Sequence, residues 1–124
     1  MDVRLTLIQL TTFRTNWKRL GLKDDDLRRR ETAILDDPGR PPLIGGTGGL
    51  RKIRFAGANS SGGKSGAFRI CYAYFREFDL VYLCAVYPKN EAANLNAEEQ
   101  NAYRKVLADF ARYLREHADE GKTP

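Results

Sequence analysis

Leu50–Phe75 reads LRKIRFAGANSSGGKSGAFRICYAYF. At its centre Ala58–Ser65, ANSSGGKS, matches the phosphate-loop pattern G-x-x-x-x-G-K-[ST] if Ala stands for the first glycine. Two readings of this loop lead to different folds. A true phosphate loop follows a strand and opens a helix, whose first N–H groups and dipole point at the phosphates. LRKIRFA is an acceptable leading strand. Lys64 and Ser65, however, are followed by GAFRICYAYF, a run of aromatic and branched residues with no helix signal. No later apolar strand ends in an Asp placed to hold magnesium. The loop therefore reads as a hairpin connection, and its glycines serve the turn.

Working outward, Leu80–Tyr87 is a third strand candidate, reached from Phe75 through the short turn REFD. Three strands in tight succession predict an antiparallel meander. Upstream, LIGGTGGL (Leu43–Leu50) carries four glycines in eight residues, a bend or close-approach segment. Arg4–Leu10 alternates at period two, with Leu5 and Leu7 on one face and Thr6, Ile8 and Leu10 on the other, and predicts a first strand.

Between them lie two helices. FRTNWKRLG, capped by Thr11 or Thr12, places Phe13, Trp17 and Leu20 at helical spacing. Asp24–Asp26 complement the dipole of a second helix that runs to about Leu35, with Leu27, Glu31, Ile34 and Leu35 inward, before DDPGRPP stops it. Asn96 and Glu99 have capping-box spacing, and Tyr103, Val106, Leu107, Phe110 and Leu114 keep helical period to His117. The order strand, helix, helix, three strands, helix predicts an α+β domain. Its sheet is antiparallel-dominated, of about four strands, with helices on one face.

The 124 residues suit one domain, 1–124, with one core. The 42% apolar and 30% charged composition is that of a folded chain. No apolar run reaches the roughly 18 residues of a membrane span, and MDVRLTLIQLTTFR is a poor signal peptide. Cys71 and Cys84, both in apolar strand-like runs, read as buried reduced thiols of a cytoplasmic protein. The net charge is +5, yet Gly39–Asn90 alone carries eight Lys/Arg against Glu77 and Asp79. The excess of positive charge thus sits mid-chain, a footprint for a polyanion such as nucleic acid or simply a solvated basic face.

On a strand, Lys52 and Arg54 share one face, and Arg51, Ile53 and Phe55 share the other. Arg69 stands alone in the apolar run around Phe68, Ile70, Cys71 and Tyr72, a costly place for a cation unless it is at an edge, paired or facing a ligand. Antiparallel pairing brings it near Lys52 or Arg54, where a phosphate backbone relieves their repulsion. Tyr87 and Lys89 extend the same surface. The competing reading pairs Arg69 with an acid such as Glu91 and leaves the rest as surface cations.

GTGGLRKIRFA, GKSGAFRICYAYF, VYLCAVYPKNEAANL and the final amphipathic helix, in this order, resemble the RelE/HigB family of bacterial toxin–antitoxin toxins, best from Ile44 to Leu95. The resemblance implies a sheet with two N-terminal helices and one C-terminal helix. It also implies metal- and cofactor-independent cleavage of mRNA in the ribosomal A site. A cognate antitoxin with a helix-turn-helix DNA-binding domain is the implied protein partner. Carried over residue by residue, the paired basic residues look like Lys52 and Arg54. The arginine after an aromatic looks like Arg69, following Phe68 where Tyr is usual.

After the last strand Lys89 matches one of a basic pair whose neighbour here is Asn90. No tyrosine follows until Tyr103, and the KNE ending is closer to the HigB-like branch. Expected catalytic residues are thus Lys52, Arg54, Arg69, Tyr87 and Lys89, with Arg51, Lys64 and Asn90 as RNA contacts. Fixed cations of this kind stabilise the phosphorane formed when a ribose 2′-OH attacks the adjacent phosphate. A lysine of the crowded cluster, or Tyr87, is the expected base. His117, beside Glu116 at the end of the last helix, is expected at the surface. The alternatives are a ParE-like inhibitor of DNA gyrase and a non-catalytic basic module that grips ribosomal RNA.

Overall fold

The computed structural model describes residues 5–55, 68–89 and 95–118. Its elements run β1 (Thr6–Gln9), α1 (Thr11–Arg19), α2 (Asp24–Asp36), β2 (Leu50–Phe55), β3 (Phe68–Phe75), β4 (Leu80–Pro88) and α3 (Ala97–Glu116). The strands form one four-stranded sheet in the order β1-β4-β3-β2. The meander is as expected: β2 pairs antiparallel with β3, and β3 with β4. β1 lies parallel to β4, so the sheet is mixed but mostly antiparallel. Ala56–Ala67, with the phosphate-loop motif and Lys64, lies outside the described residues. The strands it joins are antiparallel neighbours that meet at Phe55 and Phe68, and the element after the motif is a strand where a phosphate loop would need a helix.

The helices do not share one face of the sheet, as the element order suggested. α1 and α2 cover one face and α3 the other. The reason lies in the central strands. In β3 every residue from Arg69 to Ala73 is buried, so both sides of the pleat need cover. On the first face Phe13, Trp17 and Ile34 pack on Phe55, Ile70, Tyr72, Val81, Leu83 and Val86. On the second, Leu95 and Leu107 close over Leu50, Cys71, Ala73 and Cys84.

A ladder of rings ties α1 to the far edge of the sheet. Phe13 stacks on Trp17 at 5.8 Å, Trp17 on Phe55 at 5.5 Å, and Phe55 on Phe68 at 5.4 Å between centroids. Such pairs contribute about 1 kcal/mol each beyond the burial of their area. α1 begins at Thr11 with Leu10 as its N-cap and no side-chain cap, because the chain leaves β1 directly into the helix and Thr11 is already within it. α2 likewise lacks a side-chain cap; its first-turn aspartates complement the dipole, and Asp25 also pairs with Arg28 one turn on. Its inward residues include Asp26, which pairs with Arg29 at 2.7 Å, as well as Ile34. α3 carries the full capping box, Glu99 N–H to Asn96 Oδ1 at 2.8 Å and Asn96 N–H to Glu99 Oε1 at 3.1 Å. Among the described residues no helix is long and apolar enough to cross a membrane.

The glycine-rich segment before β2 is a close-approach surface for α3. Thr47 is fully buried, and its hydroxyl donates to the Ile44 carbonyl at 2.7 Å and accepts from the Leu50 N–H at 3.0 Å. Arg104 of α3 donates to the Gly46 carbonyl at 2.7 Å. Gly48 has φ +75°, and a Cβ there would lie 3.2 Å from Arg104 Cγ and 3.4 Å from its Cα. Gly48→Ala is expected to lose about 1–2 kcal/mol in urea unfolding, from the left-handed backbone and the crowding of α3. Gly45, with nothing within 4 Å of a built Cβ, is the control. Equal losses for Gly45→Ala and Gly48→Ala would refute the close approach.

Candidate functional site

The sheet register assembles the site. Arg54 of β2 is directly opposite Arg69 of β3, and Arg69 is opposite Tyr87 of β4. Directly opposed residues share a face, with Cβ atoms about 5 Å apart. The three side chains therefore form one row across three strands, on the side of the sheet that carries α3. One step along, Lys52 pairs with Cys71 and Cys71 with Ala85, on the same side. Leu50, two residues before Lys52, begins the buried part of this face under α3. The cationic row lies beyond it, towards the end of the sheet where Phe55, Phe68 and Pro88 pair.

Burial is graded along the row. Arg54, on the edge strand, is exposed, and Lys52 is half-buried. Arg69 is only 8% exposed, and its Nη1 donates to the Phe68 carbonyl at 3.2 Å. A guanidinium held this deep loses conformational freedom, as a preorganised anion ligand must. Tyr87 is half-buried, and the Cys71 thiol donates to its hydroxyl at 3.9 Å. Burial raises the Tyr87 phenol well above its ordinary range, the Cys71 thiol adds to this, Arg69 opposes it and Glu99 at the head of α3 adds again. Tyr87 therefore holds its proton at neutral pH and presents a donor.

Lys89 follows β4 directly and is exposed. Arg51 is not brought to the cluster. It belongs to the alternate face of β2, and its Nη1 donates to the Gly39 carbonyl at 3.0 Å and the Pro41 carbonyl at 2.6 Å. Its ladder partner Tyr72 donates to the Pro38 carbonyl at 2.7 Å. Together they pin the segment after α2, a structural role for a residue expected to contact RNA. Lys64 and Asn90 lie outside the described residues, as does Glu91, the acid suggested for Arg69. His117 caps the end of α3, stacked on Tyr113 at 4.1 Å and remote in sequence and fold from the row.

Two neighbours of the site were not singled out by the sequence. Cys71 touches Tyr87, and its place there results from the period-two register once Arg69 is opposite Tyr87. Tyr103, on α3, packs on the cluster that contains Cys71 and Tyr87, and burial pushes its phenol up to about 12. Nothing in the spacing of α3 distinguishes it from other inward residues. Among the described residues no group of three or more His, Cys, Asp or Glu side chains could hold a metal ion.

The fold that carries this row is that of the RelE toxins. No known family profile matches the chain. Among solved structures it is similar to the intact E. coli RelBE toxin–antitoxin complex, with 20% identity and a TM-score of 0.50 over 67% of this chain and 94% of that one. An arginine double mutant of E. coli toxin RelE in the free state gives 15% identity and a TM-score of 0.54 over 73% and 90%. The isolated E. coli RelE toxin gives 16% and 0.51 over 86% and 99%. The expectation of a RelE-like α+β fold thus holds.

The two cysteines are free and buried, as expected. Burial pushes the Cys71 thiol up to about 11, with the Tyr87 hydroxyl and Lys52 pulling the other way. Burial and then Cys71 push Cys84 up to about 12. Unfolding returns both to an ordinary value near 9. The unfolded chain therefore binds fewer protons above that pH, and stability present below about pH 9 is lost as pH rises towards 11. Urea unfolding is expected to show this fall, of up to about 1 kcal/mol per thiol per pH unit. Cys71→Ala should reduce the slope, and an unchanged slope would show that the thiol does not carry it.

Proposed function

We propose that the protein is the toxin of a type II toxin–antitoxin system, a ribosome-dependent endoribonuclease of the cytoplasm that cuts mRNA in the 30S A site. The observation that carries this reading is the row Arg54–Arg69–Tyr87 with Lys52 beside it. In that chemistry the ribose 2′-oxygen bonds to the adjacent phosphorus and the bond from phosphorus to the 5′-oxygen breaks. A 2′,3′-cyclic phosphate and a 5′-hydroxyl result. Arg69 and Arg54, with Lys52, offset the charge that builds on the phosphorane oxygens. Tyr87, which holds its proton, protonates the leaving 5′-oxygen, and Lys89, beyond the end of β4, is the lysine left to take the proton of the 2′-OH. No step requires a metal.

The partner that restrains the toxin is a cognate antitoxin with a helix-turn-helix DNA-binding domain. The RelBE toxin–antitoxin complex, a structural neighbour, supports an antitoxin partner. The KNE ending favours the HigB-like branch.

An in vitro translation reaction read by primer extension tests the proposal. Cuts in register with codons are expected only when ribosomes are present. Arg69→Ala should reduce them by roughly 10²- to 10³-fold. Arg54→Ala removes an exposed member of the row, so its loss of cutting cannot be laid to a damaged core. Stalled translation without cuts would instead indicate a non-catalytic ribosome binder. Intact messages with loss of DNA supercoiling would indicate a gyrase inhibitor.

A further inference from the structure

The row does not end at the sheet. Arg54 is on the edge strand, and its other neighbour is a cavity of about 240 Å³ between β2 and the C-terminal half of α2. Ala33 and Ile34 of α2, with Ile53 and Pro41, supply an apolar floor. Arg30, Arg40 and Arg54 supply three guanidinium groups, and Asp36 and Asp37 supply two carboxylates. None of the ion pairs among the described residues involves any of the three arginines. Arg30 lies over the Phe55 ring with its Cζ 5.9 Å from the centroid, in a cation–π contact with the third ring of the aromatic ladder. Arg51 and Tyr72 pin the Pro38–Pro41 segment, whose Arg40 and Pro41 line the cavity.

We propose that this cavity is a nucleobase subsite for a nucleotide flanking the scissile phosphate of the RNA strand that the row holds. The inference rests on the functional reading above and adds a binding site to it. Size, chemistry and position point the same way. The volume is below the roughly 300 Å³ at which pockets for drug-sized ligands begin, so it suits one small planar ring system. An apolar floor and a guanidinium plane are the surfaces on which unstacked bases settle in single-stranded RNA. Two carboxylates disfavour a bare phosphate but accept hydrogen bonds from the amino groups of adenine, cytosine or guanine. Uracil has no amino group and is the weakest fit. Arg54, on the edge strand, borders both the row on the α3 side and the cavity on the α2 side, so a strand with its scissile phosphate on Arg69 passes round the sheet edge at Arg54 to reach the pocket. Arg40, exposed at the rim, is placed for the flanking phosphate.

Nucleotide titrations followed by amide NMR, with the isolated protein and no ribosome, test this directly. AMP, CMP and GMP are expected to shift the amides of Ala33, Ile34 and Ile53 at millimolar concentration, and UMP several-fold more weakly. Arg40→Ala should weaken all four. The double substitution of Asp36→Asn and Asp37→Asn should abolish the preference against UMP while leaving the remaining spectrum in place. The subsite is overturned if inorganic phosphate reproduces the shifts at the same concentration, if the four nucleotides are bound alike, or if the shifts fall elsewhere or are absent. Because this readout needs no cleavage, nucleotide binding in the pocket without ribosomal cutting would sustain the subsite and defeat only the catalytic reading.

Discussion

The structure depends on the burial of β3 on both faces. FRICYAYF has no polar side for water to cover, and its five central residues are buried. A strand of that kind has to sit between two neighbours and two layers, which is where the topology places it: β2 and β4 on its edges, α1 and α2 below, α3 above. Arg69 is the one charged residue in the run. Its depth follows from the strand it belongs to, and the strand cannot move without exposing both clusters. A cation carried there is fixed in position by the packing of the whole protein.

That arrangement explains how a surface site is built on a rigid base. The Arg54–Arg69–Tyr87 row crosses three adjacent strands, so its geometry is that of the hydrogen-bonded ladder and not of a loop. α3 stops short of the row and closes the rest of the same face, with its capped N-terminus and Glu99 near Tyr87. On the opposite side, the ring ladder from Phe13 to Phe68 braces the end of the β2–β3 pair where the row lies. Arg51 and Tyr72 hold the segment that walls the neighbouring cavity. Each of these supports is apolar packing or a bond to a backbone carbonyl, and none of them draws on Lys52 or Arg54.

Similarity to RelE structures at 15–20% identity establishes the architecture. One fold can host unrelated activities, so the functional reading has to stand on the residues of the site. A buried arginine, an exposed arginine, a lysine and a protonated tyrosine on one face make a centre suited to a phosphate that gains charge during reaction.

The element types were legible in the sequence because they rest on local signals. The strands of the meander, both N-terminal helices and the capped third helix come from periodicity, turn residues and the Asn96/Glu99 pair. Lys52 and Arg54 sharing a face follows from the pleat alone. What sequence did not decide depends on contacts between distant segments. The parallel pairing of β1 with β4 and the placing of α3 on the face opposite α1 and α2 depend on which apolar surfaces meet. Arg51 looked like its basic neighbours until the chain after α2 was folded against it, and the rise of the Tyr87 phenol comes from burial that only packing creates. Local spacing determined which side chains point the same way. The tertiary structure decided which of them remain available to a ligand, because availability depends on what the rest of the chain has already bonded or covered.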